Sequence, residues 1–149
     1  MKYDIYSDYI ASDDLSVVEF TSIGINGRII KRVAFMPTEA NGVYNLAFGD
    51  VDEYDDIDDY KITNNGDRNK VLATVVNIVD EYTRRHPARW IYFQGSTEER
   101  TRLYRMAIGL NLEELSPKFE IYGIHENGDA DPFTKNMLVT AFLIKRKIS

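Results

Sequence analysis

From Val17 to Phe48 the chain alternates between short apolar runs and turn residues. The runs "VVEFTSIG", "GRIIKRVAFMP" and "GVYNLAFGD" are rich in β-branched and aromatic residues and are bounded by Gly, Asn and Pro. The "GING" between the first two is a tight-turn signal and predicts a hairpin. In the second run Ile29, Val33 and Phe35 fall on odd positions with Lys31 among them, so one strand face is apolar apart from a lysine. The pattern predicts three antiparallel strands in a meander. Ahead of them, residues 1–15 carry Tyr3, Tyr6 and Tyr9 among several Asp without a period. They are expected to form an arm, ordered where it docks on the body or on a second subunit.

Further on the period changes to that of a helix. Leu72, Val75, Val76, Val79 and Tyr82 form one broad apolar face. Asp67 is the expected N-cap, preceded by the turn residues Asn64, Asn65 and Gly66. Arg84, Arg85 and His86 complement the dipole of the last turn, and Pro87 stops the helix. Residues 89–95, "RWIYFQG", read as a buried strand. Ser96 and Glu99 then form an S-x-x-E capping box opening a second helix, with Leu103, Met106, Ala107 and Leu110 as its apolar stripe. Two strands, "KFEIYGI" and "MLVTAFLIKRK", close the chain across the polar "HENGDADP".

These elements define an arm, 1–15, and a single α/β (α+β) domain, 16–149, with a mixed sheet, an antiparallel N-terminal meander and two helices. The strand before the first helix and "RWIYFQG" after it should be parallel neighbours joined by a right-handed crossover. Ligands of such sheets sit at the carboxyl ends of the strands, where helix N-termini point. Both "TNNGDRNK" and "QGSTEER" fall at that end.

Composition narrows the chemistry. The 149 residues contain no Cys, which excludes disulfides, a thiol nucleophile and thiolate metal sites. No apolar segment reaches the roughly 18–20 residues of a membrane span, and "MKYDIYSDYI" has no apolar core of a signal peptide, so a cytoplasmic protein is expected. The net charge of −6 is concentrated: residues 50–59, "DVDEYDDIDD", hold seven acids and no base, leaving 17 acids against 18 bases elsewhere. That acidic stretch is expected to be a solvated loop, and it is the candidate surface for a protein partner. It lacks EF-hand spacing, since Tyr54 occupies the third ligand position. His86 and His125 do not make a metal cluster, so no metal is expected. Ser96 lacks a G-x-S-x-G elbow. Arg84, Arg85, Arg89 and the terminal "KRK" come without the spacing of a nucleic-acid module, and the acidic stretch opposes them. Nucleic acid is not the expected partner.

The combination of "YNLAFGD", "NNGDRNKVLATV", "GSTEERTRLY" and "FLIKRK" resembles a family of small uncharacterised bacterial proteins known only as a domain of unknown function. The layout from Tyr60 to Ile124 is also similar to the core of the GCN5-related N-acetyltransferases: strand, phosphate loop, helix, strand, helix, strand. In that family a Leu-Tyr pair on the helix after the fifth strand supplies a general acid towards the coenzyme A thiolate. The resemblance places Tyr104, after Leu103, in that catalytic role, with acyl-CoA as the implied cofactor and an acetyltransferase-like connectivity.

The candidate ligand-binding residues are Asn64, Asn65, Gly66, Asp67 and Arg68 in the first loop, and Ser96, Thr97, Arg100 and Arg102 in the second. Two arginines at a helix start suit a phosphate or carboxylate, which each guanidinium can grip bidentately. The plainer reading pairs each arginine with a nearby acid, stacks Arg100 on Tyr104, and makes 64–68 a connection with a cap. Two functional classes follow. One is a divergent acyltransferase-like protein binding an anionic, phosphate- or CoA-containing ligand at the strand ends. The other is a non-catalytic interaction module, such as a toxin–antitoxin or phage-defence partner, with a homodimer among its forms.

Overall fold

The computed structural model describes residues 3–58 and 64–148. Among them the strands are β1 (Ile10–Ala11), β2 (Val17–Gly24), β3 (Gly27–Pro37), β4 (Val43–Val51), β5 (Ile57–Asp58), β6 (Trp90–Phe93), β7 (Phe119–Ile124), β8 (Ala130–Pro132) and β9 (Ala141–Arg146). The helices are α1 (Arg68–Arg85), α2 (Glu98–Leu110) and α3 (Leu112–Leu115). The strands pair in the order β1-β2-β3-β4-β6-β9-β7-β8, with β5 on β4. The sheet is mixed because β4 and β6 run parallel, Val43 opposite Trp90 and Asn45 opposite Tyr92. The fold is thus the expected α+β arrangement, with β1, β5, β8 and α3 added to the six strands and two helices foreseen. The first strand of the acetyltransferase-like layout, from Tyr60, begins outside the described residues. Two compact units make up the chain, Met1–Met36 with Ala47–Arg85, and Pro37–Leu46 with His86–Ser149.

In the first unit, "GING" makes the expected hairpin. Gly24 pairs with Gly27, and Gly27 takes the left-handed φ of 83° that the tight turn requires. Alternation then places Val18, Phe20 and Ser22 of β2 and Lys31, Val33 and Phe35 of β3 in the interior. Helix α1 covers this face, and Tyr82 stacks on Phe35 with ring centroids 3.7 Å apart. Its buried residues include Val71, Thr74, Ile78, Val79 and Tyr82, whereas Leu72, Val75 and Val76 of the expected face are half-buried. The reason lies in the arm. It packs along a second side of α1, so the small polar Thr74 is buried too: its hydroxyl donates to Lys70 O (2.7 Å) and accepts from Tyr6 N–H (2.8 Å).

The acidic stretch is not a plain solvated loop. It forms the β4–β5 hairpin, with Asp50 opposite Asp58 and Val51 opposite Ile57. Asp50 is buried and lies 2.6 Å from the ammonium of Lys31, itself 1% exposed. This is the partner that the lone lysine of the apolar face requires. Arg32 joins Glu19 to the tip, donating to the Asp55 carbonyl and carboxylate. Glu53, Tyr54, Asp55 and Asp56 remain exposed; Asp59 lies outside the described residues.

In the second unit, β9 lies between β6 and β7, antiparallel to both. One cluster of its core is Ile108, Phe133 and Phe142, with Phe93, Tyr104, Leu112, Ile121, Met137 and Val139 packed around it. The inward side of α2 is therefore Tyr104 and Ile108, one turn apart, while Met106 and Leu110 of the expected stripe are largely exposed. Phe93 and Phe142 provide an aromatic floor that the ring of Tyr104 meets edge-on, 5.9 Å from Phe93. This aromatic contact decides which side of α2 turns in.

Candidate functional site

The loop 64–68 belongs to the first unit, where it closes the β2–β3 hairpin. Asn65 is 1% exposed, and its side chain is fully engaged. Its Oδ1 accepts from Asn26 N–H (2.5 Å), and its Nδ2 donates to Gly27 O (2.9 Å) and Ser22 Oγ (3.2 Å). Its carbonyl accepts from Ile25 N–H, and the Asn64 carbonyl from Asn26 Nδ2. Asn64 Oδ1 accepts from Gly66 N–H, and Gly66 adopts a φ of 80°. Arg68 opens α1 and is exposed.

Asp67 starts the helix as expected, its carbonyl accepting from Val71 N–H. Its carboxylate has a second task. The hydroxyls of Tyr6 and Ser22 both donate to Oδ2 at 2.5 Å. Tyr6 stacks on Phe20, Lys70 lies over its ring, Tyr9 accepts from Asn77, and Arg85 donates to the Asp13 carbonyl. The tyrosine arm thus docks on its own unit. Asp67→Ala should lower stability by about 1.5–3 kcal/mol, the range for hydrogen bonds to a charged group, rather than the ~1 kcal/mol of an N-cap. Urea denaturation reads the difference, and a loss near the lower figure would reduce Asp67 to a cap.

Burial and then the Asp67 carboxylate raise the Tyr6 pKa above its usual 10.0. The folded state therefore holds the neutral phenol. This contribution is complete below the unfolded value and is lost as pH rises through the raised folded one. In a tyrosinate absorbance titration, Tyr6→Phe should remove a late-titrating component.

In the second unit the end of β6 meets α2 at a glycine. A Cβ on Gly95 would stand 2.3 Å from the Thr101 nitrogen and 2.7 Å from the Arg100 carbonyl carbon, so only glycine permits this approach. Gly95 N–H donates to Thr101 Oγ1 (3.1 Å), and the Thr101 hydroxyl donates to the Thr97 carbonyl (3.2 Å). Thr97 is the N-cap, its hydroxyl accepting from Arg100 N–H (3.2 Å). The capping box of Ser96 and Glu99 is thereby corrected by one residue. Ser96 is released to accept from Arg100 Nη1 at 3.0 Å.

Beside this turn opens a cavity of about 470 Å³, lined by residues 94–98, Thr101, Arg102, Arg105 and residues 138–140. Arg102 and Arg105, three residues apart, share one side of α2. Among the described residues their guanidinium groups make no hydrogen bond or ion pair, and neither does the Glu98 carboxylate. The cavity brings together Ser96, Thr97 and Arg102 of the expected set. Arg100 is half-buried against Ser96 outside the lining, and Tyr104 faces the aromatic cluster. Arg105, Thr101 and residues 138–140 were not foreseen. The i, i+3 spacing of Arg102 and Arg105 carried a signal for the first of these, but residues 138–140 are joined to the site only by the fold.

Among the described residues no group of three or more His, Asp or Glu is placed to hold a metal, and no helix is long and apolar enough to cross a membrane. The chain belongs to a family of unknown function, DUF6934, whose model matches residues 2–147. No curated protein and no solved structure matches it.

Proposed function

We propose that the protein binds a small organic anion in the cavity at the start of α2, with Arg102 and Arg105 holding its phosphate or carboxylate. The observation that carries this reading is a pair of guanidinium groups, making no hydrogen bond or ion pair among the described residues, that line a concave space beside a helix N-terminus. The volume, about 470 Å³, suits a metabolite-sized ligand. Phosphate- and CoA-containing compounds belong to the class. Tyr104 is given a packing role in this reading, since its ring meets Phe93. A thermal-shift screen of phosphates, carboxylates, nucleotides and acyl-CoAs supplies the ligand. Arg102→Ala or Arg105→Ala should then weaken it by about 1.5–3 kcal/mol, with Arg100→Ala close to the parent. Equal affinity in all three variants would remove the cavity from the account. The exposed acidic tip, residues 53–56, favours a second reading as a contact surface for a basic protein partner.

A further inference from the structure

The cavity is also lined by Leu138, Val139 and Thr140, and the fold holds this segment in place. A Cβ on Gly123 of β7 would stand 2.5 Å from Val139 Cγ1 and 3.2 Å from Met137 Sδ. That close approach seats Met137 and Val139 against the cluster of Ile108, Phe133 and Phe142. The residue between them is turned outward: Leu138 is 77% exposed and lines the cavity. The segment is fixed at its end, where Thr140 N–H donates to the Ile124 carbonyl at 2.8 Å. Packing explains Met137 and Val139, but it gives no reason for a leucine in water between them.

The lining therefore combines two guanidinium groups with the apolar side chains of Leu138 and Val139. Glu98 on the same lining reduces the formal charge to +1, two arginines less one glutamate. We infer that the ligand is an amphiphilic anion, with one phosphate or carboxylate head on Arg102 and Arg105 and a hydrocarbon or aromatic body against Leu138. This rests on the anion-binding reading and narrows it. A bare inorganic anion satisfies the arginines and leaves the leucine wet, whereas an anion carrying an alkyl chain of several carbons can engage the arginines and also cover Leu138.

The test is calorimetric titration with inorganic phosphate and with straight-chain alkyl phosphates and carboxylates, all below their micelle concentrations. Parent affinity should rise by about threefold to fourfold per methylene over the first few carbons, as expected for burial of apolar surface. Leu138→Ser changes an exposed side chain and should fold normally. It should flatten that rise, weakening hexyl phosphate at least threefold while leaving inorganic phosphate unchanged. Equal affinity along the series, with continued dependence on the arginines, would overturn the amphiphile and leave the anion site standing. An unchanged slope in Leu138→Ser would also overturn it. No binding by any member would sink both readings together.

Discussion

Lys31→Met is expected to lower the unfolding free energy by about 3–5 kcal/mol, because it removes the ammonium that faces the buried Asp50 carboxylate. The two groups lie 2.6 Å apart, with side chains 1% and 7% exposed. Asp50→Leu should cost a similar amount by removing the carboxylate that faces the buried ammonium. The double variant Lys31→Met/Asp50→Leu should recover most of the loss, since it removes both charges together and fills the space with apolar groups. Chemical denaturation of the four proteins forms a double-mutant cycle. Additive losses would mean that the pair is not coupled. By contrast, changing Glu53 and Asp56 to Asn or Ser should alter stability little, because both are exposed. The acids of one short hairpin thus differ in consequence according to which way each side chain points.

A loss of comparable size is expected from Gly24→Ala. A Cβ there would stand 1.9 Å from the Asn65 carbonyl oxygen, a backbone atom that no side-chain rotation can move aside. To make room, the hairpin end must part from the 64–66 turn. Ile25, Asn26 and Gly27 would then lose their bonds to Asn65. The Asn65 ends of these bonds are buried, and a buried group left unmatched costs roughly 1–3 kcal/mol, so a total loss above about 3 kcal/mol is expected. Amide exchange should show residues 22–27 opening before the rest of β2 and β3. A variant that melts with the parent would mean that the turn yields more easily than this geometry implies.

The hairpin was legible in the sequence because its turn and alternation agree, and the alternation also isolated Lys31 as the odd member of an apolar face. Its partner was hidden, since Asp50 reads as one more acid in a run of seven. Only the ladder register shows that this acid belongs to the interior side of β4. The direction of α2 was hidden for another reason. Leu103, Tyr104, Met106, Ala107, Ile108 and Leu110 cover most of the helix circumference, so several stripes fit equally well. Ser96 and Thr97, each a competent cap with a glutamate nearby, left the helix start open by one residue; the Gly95 approach resolves it. The candidate site was legible as a helix start rich in hydroxyls and arginines. Leu138 and its neighbours on the lining lie over thirty positions downstream and had no local signal.

The docked arm also bears on how the chain matures. Tyr6 meets Asp67 and Thr74, Tyr9 meets Asn77, and Asp13 meets Arg85, contacts separated by 61, 68, 68 and 72 positions. During synthesis the arm emerges before its seat along α1, which does not exist until some sixty further residues have been added. At about 5–20 residues per second, that is an interval of seconds. Over that interval Tyr6 and Tyr9 have no native surface to cover and are open to whatever the nascent chain meets. Closing such long loops is entropically demanding, so the arm should lock late, after β2, β3 and α1 have come together. Its seating then serves as a completion signal for the unit beneath it.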